Sequence, residues 1–289
     1  MQSLIYSSQI RVDTIVPQLV KELKRNRGKR PIKKVPRAKS IKYLERAYYK
    51  SIFEMVSELK KLTQKYFVPS IPSIISQAGF YKVKSDSLRS DTFSEEISRN
   101  VEFIRLSFSK IYDEQKIENM AKAQASKINL HNANELSKQF GSVLGVNPVT
   151  SEFWLPAEIT AFTKQNVSLI KSIPQNYFDR IEQTVIRDVQ AGKLSKDIEA
   201  DIKAAYNVSD NKAALIARDQ TNKFNGDLNR IRQTEVGITQ YEWSTSLDER
   251  VRPEHAAREG KIFNWNDPPE GGHPGSEINC RCEAIPVFE

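Results

Sequence analysis

The chain has little of what usually carries chemistry: two cysteines, three histidines and three tryptophans in 289 residues. No stretch of about 18 apolar residues occurs, so no helix is expected to span a membrane. The start, MQSLIYSSQIRVDTIV, lacks a basic segment followed by an apolar block, and no secretory signal is expected. Two cysteines at C-x-C spacing cannot build a framework of long-loop disulfides, which suits a reducing compartment. Glycine elbows, phosphate-cradling loops and paired carboxylates at useful spacing are absent. Few routes to catalysis remain, and no motif for reading bases is present.

What the chain does have is charge, unevenly placed. Apolar residues make up 39% and charged residues 28%, the composition of a soluble, largely helical protein long enough to bury a core. The net charge is +8, yet residues 1–50 hold fourteen Lys/Arg against three Asp/Glu, a local +11, so the other 239 residues sum to −3. Lys24, Arg25, Arg27, Lys29, Arg30, Lys33, Lys34, Arg37 and Lys39 stand among Gly28, Pro31 and Pro36, which interrupt any helix. Like-charge repulsion is expected to keep much of this segment extended. Two readings follow from the residues alone. One is an arm lying along nucleic-acid phosphate and releasing counterions; the other is a basic tail packing on the acidic face of a protein partner.

From Ile41 the pattern changes. Ile41, Leu44, Tyr48, Ile52, Met55, Val56, Leu59, Leu62 and Tyr66 recur at three- and four-residue steps, which predicts one long helix stopped by Pro69. Residues 69–92 read as a connecting excursion, and Thr92 with Glu95 forms a capping-box pattern opening a second helix along Ile97, Val101, Ile104, Phe108 and Ile111. His131, in the polar stretch HNANELSKQFG, has no ligand type nearby and is expected to play a plain polar or capping role. After a break over 141–156, helical segments are expected from Ile159 to Glu235, divided at Pro174, Gly192 and Asn207–Ser209. In the last of them Leu215, Ile216, Phe224, Leu228 and Ile231 supply a buried face, while Arg218, Lys223, Arg230 and Arg232 read as a solvated one.

After Gly237 the period becomes two, with Thr239, Tyr241 and Trp243 on one side of a strand; 261–265 and 282–287 are two more candidates. Trp243 to Cys282 gathers both cysteines, two of the three histidines and two of the three tryptophans. Three chemistries could use them. His255, Cys280 and Cys282, with Asp248 or His273, have the ligand types for zinc, although C-x-C is tighter than the usual spacing of paired cysteines. Alternate side chains of an extended segment do point the same way, so the pair could reach one ion. Asp248 orienting His255 beside a Cys280 nucleophile would be catalytic. The leading reading is structural: Asp248 and His255 satisfy one another while the thiols pack against Trp243 and Trp265.

The C-terminal half resembles the Mu F-like minor head proteins of tailed phages, also called phage head morphogenesis proteins. The resemblance rests on Ala217–Thr221 (ARDQT), on Trp243, Thr245, Asp248, Arg250, Arg252, His255 and Gly260, and on Asn279–Cys282 (NCRC). It covers about residues 160–287; His273 has no counterpart in it, and PRAKSIKYLERAYYKSIFEMVSELKK is also similar to the family's N-terminal part. The resemblance implies a non-enzymatic minor component of the virion, in the head interior at the portal vertex, and in host cytoplasm during assembly. It implies the portal protein and sequence-independent packaged double-stranded DNA as partners, with capsid or scaffold proteins as further ones and delivery with the genome in some members. The alternative is a metal-dependent nuclease or toxin-like effector using Asp248, His255 and the cysteines. The expected class is α+β: a basic arm over 1–40, helical regions over 41–158 and 159–236, and a small antiparallel β-containing module over 237–289.

Overall fold

The computed structural model describes residues 15–27, 34–82, 90–149 and 151–288. It is α+β, with long helices followed by a three-stranded antiparallel sheet. No helix among the described residues is long and apolar enough to cross a membrane.

The apolar stripe from Ile41 forms α2 (Lys42–Leu62), where Leu44, Tyr48, Ile52, Met55 and Leu59 are buried. Pro69 does not end the helical course. A π-turn over Thr63–Phe67 and a 3-10 turn over Val68–Ser70 absorb the proline, and α3 resumes over Ile71–Lys82 with Pro72 in its first turn, where no amide hydrogen is needed. Of the expected excursion over 69–92, residues 69–82 and 90–92 are helical, and 83–89 lie outside the described residues. Next comes α4 (Ser90–Ile111), starting two residues ahead of the expected cap. The polar stretch around His131 lies inside the 31-residue α5 (Glu114–Leu144).

Two expected divisions are missing. The 36-residue α6 (Leu155–Gln190) passes through Pro174, and the 41-residue α7 (Ser195–Glu235) passes through 207–209. Ile170, Ile173, Tyr177, Phe178 and Ile181 are all buried around the proline, and this packing outweighs one lost backbone bond. Ser209 returns its hydroxyl hydrogen to the Ala205 carbonyl (3.3 Å), a bond compatible with continued helix. Gly192 does end α6, at φ +74°, with its amide bonded to Val189 O.

Internal contacts divide the chain into two compact units, each drawn from separated stretches: 46–122 with 163–217, and 1–45 with 123–162 and 218–289. The first is helical, with a core that includes Ile52, Met55, Leu59, Ile97, Ile104 and Ile170; within it Tyr48 donates to Asn166 (2.9 Å) and Tyr177 to Thr63 (3.0 Å). The second contains the sheet, in the order β2-β1-β3: β1 (Gln240–Ser244) pairs with β2 (Ile262–Asn264) and with β3 (Glu283–Pro286). Tyr241 and Trp243 share the buried face, as the period of two requires.

In this second unit a helix stands where an extended arm is expected. α1 (Ile15–Arg27) buries Val16 and Val20 against Phe140, Val143, Val236 and Phe288, and Val16 N bonds Val236 O at 3.2 Å. Four apolar residues on one face (Val16, Leu19, Val20 and Leu23) make it amphipathic, and that burial overcomes the charge repulsion over 21–27.

The reading of Arg232 as solvated is also overturned. Its guanidinium, 1% exposed, is bonded to Glu152 (2.5 and 3.0 Å), Asn132 (2.6 Å) and Asn129 (2.5 Å), so every face of the fork has an acceptor. Arg232→Met keeps the bulk but strands these acceptors; urea unfolding should register a loss of about 3 kcal/mol.

Candidate metal centre

The C-terminal site is built on α7. Asp219, Asn222, Asn225, Asn229, Arg232 and Gln233 are all buried on it, a polar face at helical spacing. Asn229 and Gln233 donate to Ala284 O at 2.8 and 2.9 Å, saturating a carbonyl of the edge strand β3. Gln233 also accepts from the Trp265 indole (3.3 Å), and Asp219 accepts from Asn279 N (3.2 Å). Asn279 sits at φ +61°, a conformation asparagine tolerates, and Cys280 N bonds Glu277 O across the turn at 3.0 Å. That turn starts the extended run Cys280-Arg281-Cys282. Alternation then sends the two thiols one way and Arg281 the other, onto Glu45 at 3.0 and 3.2 Å.

The thiols meet His255, which the short helix α8 (Pro253–Ala256) holds beneath the Trp243 ring. Its Nδ1 lies 3.6 Å from Cys280 Sγ and 3.5 Å from Cys282 Sγ. Residual exposure is 3%, 4% and 7% for His255, Cys280 and Cys282. Among the described residues this is the one group of His, Cys, Asp and Glu donors with metal-like spacing, all its ligand atoms within 4.8 Å of one another. On the far side of the ring, Glu277 Oε2 stands 3.2 Å from Nε2, off the line of a hydrogen bond, and is itself held by Arg252 at 2.5 Å.

Cys280 is the more acidic partner of the pair. The Cys282 thiol donates to it, and against the opposing effect of burial the amides of Cys282 (3.5 Å) and Gly275 (3.4 Å) help bring its pKa down to about 6. The same bond to Cys280, together with burial, pushes Cys282 up. The Gly275 amide reaches the sulfur because its loop lies against α7 at Gly226, where an added Cβ would stand 2.8 Å from Pro274 O.

Asp248 does not pair with His255. It binds Lys42 (3.0 Å), lies 3.8 Å from Arg281, and accepts from Arg250 N (3.2 Å). Partial burial pushes its carboxyl up, but Lys42 and the Arg250 amide outweigh this and hold it below its usual value. His273 is not part of the thiol group; it is bonded to Tyr241 OH at 3.0 Å and tilted against the Trp265 ring. His131 takes the plain polar role, 3.3 Å from Tyr43 OH.

Of the basic candidates, Lys29, Arg30 and Lys33 lie outside the described residues, as do the side chains of Lys24 and Arg27 on α1. Arg25, Lys34 and Lys39 are exposed. Arg37 is engaged by Glu259, and around it residues 36–42 form a strap: Pro36 O accepts from Gln139 (2.9 Å), Lys39 N donates to Glu135 (2.8 Å), and Lys42 meets Asp248. Near the strap sits the half-buried Glu283, pushed up to about 8 by burial and by the Glu135 carboxylate, with Arg37 opposing. Sequence reading missed Glu277, Glu45 and the buried amides of α7. The amides had one available signal, their recurrence at three- and four-residue steps.

Residues 179–285 match the family described as Phage Mu protein F like protein. An uncharacterized protein of Haemophilus influenzae is 38% identical over 176 residues, which is 60% of this chain and 39% of that relative's length. No solved structure matches the chain.

Two outcomes follow. Alanine ordinarily gains about 1 kcal/mol over glycine inside a helix. Gly226→Ala should nonetheless destabilise, because its methyl meets the Pro274 carbonyl; thermal unfolding reads the sign. The folded chain holds a proton on Glu283 that the unfolded chain releases, so stability falls as pH rises from the ordinary carboxyl range to about 8. Glu283→Gln should match the parent near about pH 4 and exceed it near about pH 8.5 in denaturant titrations.

Proposed function

We propose that this chain, Mu F-like over residues 179–285, is a minor head-morphogenesis protein of a tailed phage whose Mu F-like motif acts as architecture. The observation that carries the reading is how the motif residues are used. Arg252 holds Glu277, Arg281 holds Glu45, Asp248 holds Lys42, and Asn279 and Gly260 supply left-handed turns. Each residue is bound into the fold. The nuclease or effector alternative would need His255, Cys280 and Cys282 to meet a phosphodiester, and all three are buried.

In this reading the protein is non-enzymatic and sits at the portal vertex in the head interior, with the portal protein as its neighbour. The basic segment faces packaged double-stranded DNA, whose phosphate density keeps even weak, sequence-blind contacts occupied. Arg37 is already engaged by Glu259. The contacts are therefore assigned to Lys24, Arg25, Arg27, Lys29, Arg30, Lys33 and Lys34, with Lys39 at their margin. Capsid or scaffold proteins are further partners during assembly, before the protein leaves with the genome.

Neutralising Lys29, Arg30, Lys33 and Lys34 together to Gln should weaken binding to random-sequence duplex and flatten the slope of log K against log salt by roughly 3 to 4. Arg37→Gln should leave that slope unchanged. An unaltered slope in the quadruple variant removes the DNA assignment, and immunogold labelling of purified heads away from the portal vertex removes the position.

A further inference from the structure

We propose that His255 Nδ1, Cys280 Sγ and Cys282 Sγ hold one zinc ion. Zinc bonds of about 2.0–2.1 Å to nitrogen and 2.3 Å to sulfur, at a tetrahedral angle, set the two kinds of donor about 3.5 Å apart. The distances here are 3.5 and 3.6 Å, from one ring nitrogen to two sulfurs. Ordinary packing of a histidine against a thiol has no reason to produce both edges on the same nitrogen.

Charge points the same way. Two thiolates and a divalent cation sum to zero, and a neutral cluster is what residues only 3–7% exposed can accommodate. The thiolates already have hydrogen-bond donors, since Cys280 Sγ faces the amides of Gly275 (3.4 Å) and Cys282 (3.5 Å). The indole N–H of Trp243, buried beside His255, is placed as a donor to the Cys282 sulfur. Behind the imidazole, Glu277 stands 3.2 Å from Nε2, off the line of a hydrogen bond, and is itself anchored by Arg252. Asp248 takes no part, since it belongs to Lys42 and Arg281.

The ion has mechanical work to do. It joins α8 to the segment that enters β3, in a sheet of only three short strands, where an apolar core alone is thin.

The test uses the full chain, purified in reducing buffer without chelator. Elemental analysis should find one zinc per chain, and after zinc removal one equivalent of Co(II) should produce a thiolate-to-cobalt charge-transfer band. Cys282→Ser should lose that band. Glu277→Gln should keep the metal, and Asp248→Asn should bind it as the parent does. Parent protein that carries no zinc and takes up no cobalt overturns the site. So does Cys282→Ser binding with parental affinity, or a folded Asp248→Asn that has lost the metal.

Discussion

Everything in the C-terminal unit depends on one face of one helix being polar and dry. A buried amide or guanidinium without a partner costs about 1–3 kcal/mol or more, so the face of α7 is tolerable only while its partners are in place. Those partners are backbone and side-chain groups of other elements: the Ala284 carbonyl, the Asn279 amide, Glu45, Glu152 and Asn132. Apolar packing would accept many arrangements of a small sheet on a helix. A row of hydrogen bonds at fixed spacing accepts one register, and the position of Cys280 and Cys282 beneath His255 is inherited from it.

The apolar periodicities were legible in advance, because a stripe at 3.6 or a strand at 2 needs nothing beyond its own neighbours. The long helix from Ile41 and the strand through Tyr241 and Trp243 are of that kind. Pro174 and the stretch 207–209 misled because a local preference worth a few kcal/mol yields to a helix flank buried on both sides. Arg232 misled for the opposite reason. Arginine is ordinarily exposed, and its acceptors come from α5 and from Glu152, about eighty to a hundred residues away in sequence. The site was half legible: C-x-C and His255 could be picked by residue type, whereas the partner of Asp248 lies 206 residues away at Lys42.

The basic segment illustrates how one composition serves two ends. Its last residues are spent inside the fold, where Glu259, Glu135 and Asp248 pin the strap over 36–42. Acidic groups placed to receive it make the strap an integral part of the unit rather than an appendage. Ahead of the strap, Arg25 and Lys34 are exposed.

The interleaved make-up of the two units bears on how the nascent chain matures. The unit of 46–122 and 163–217 has all its residues once position 217 has left the ribosome. The other must wait for Arg281 to find Glu45 across 236 residues, which at about 5–20 residues per second is a delay of some ten seconds or longer. Once made, the amides of α7 stay hydrated until then, and the early-made helix α1 lacks Val236 and Phe288, two of the residues it packs on. Closure of this unit thus waits for β3, and a chain cut short before that strand would leave a folded helical body carrying an unfinished end.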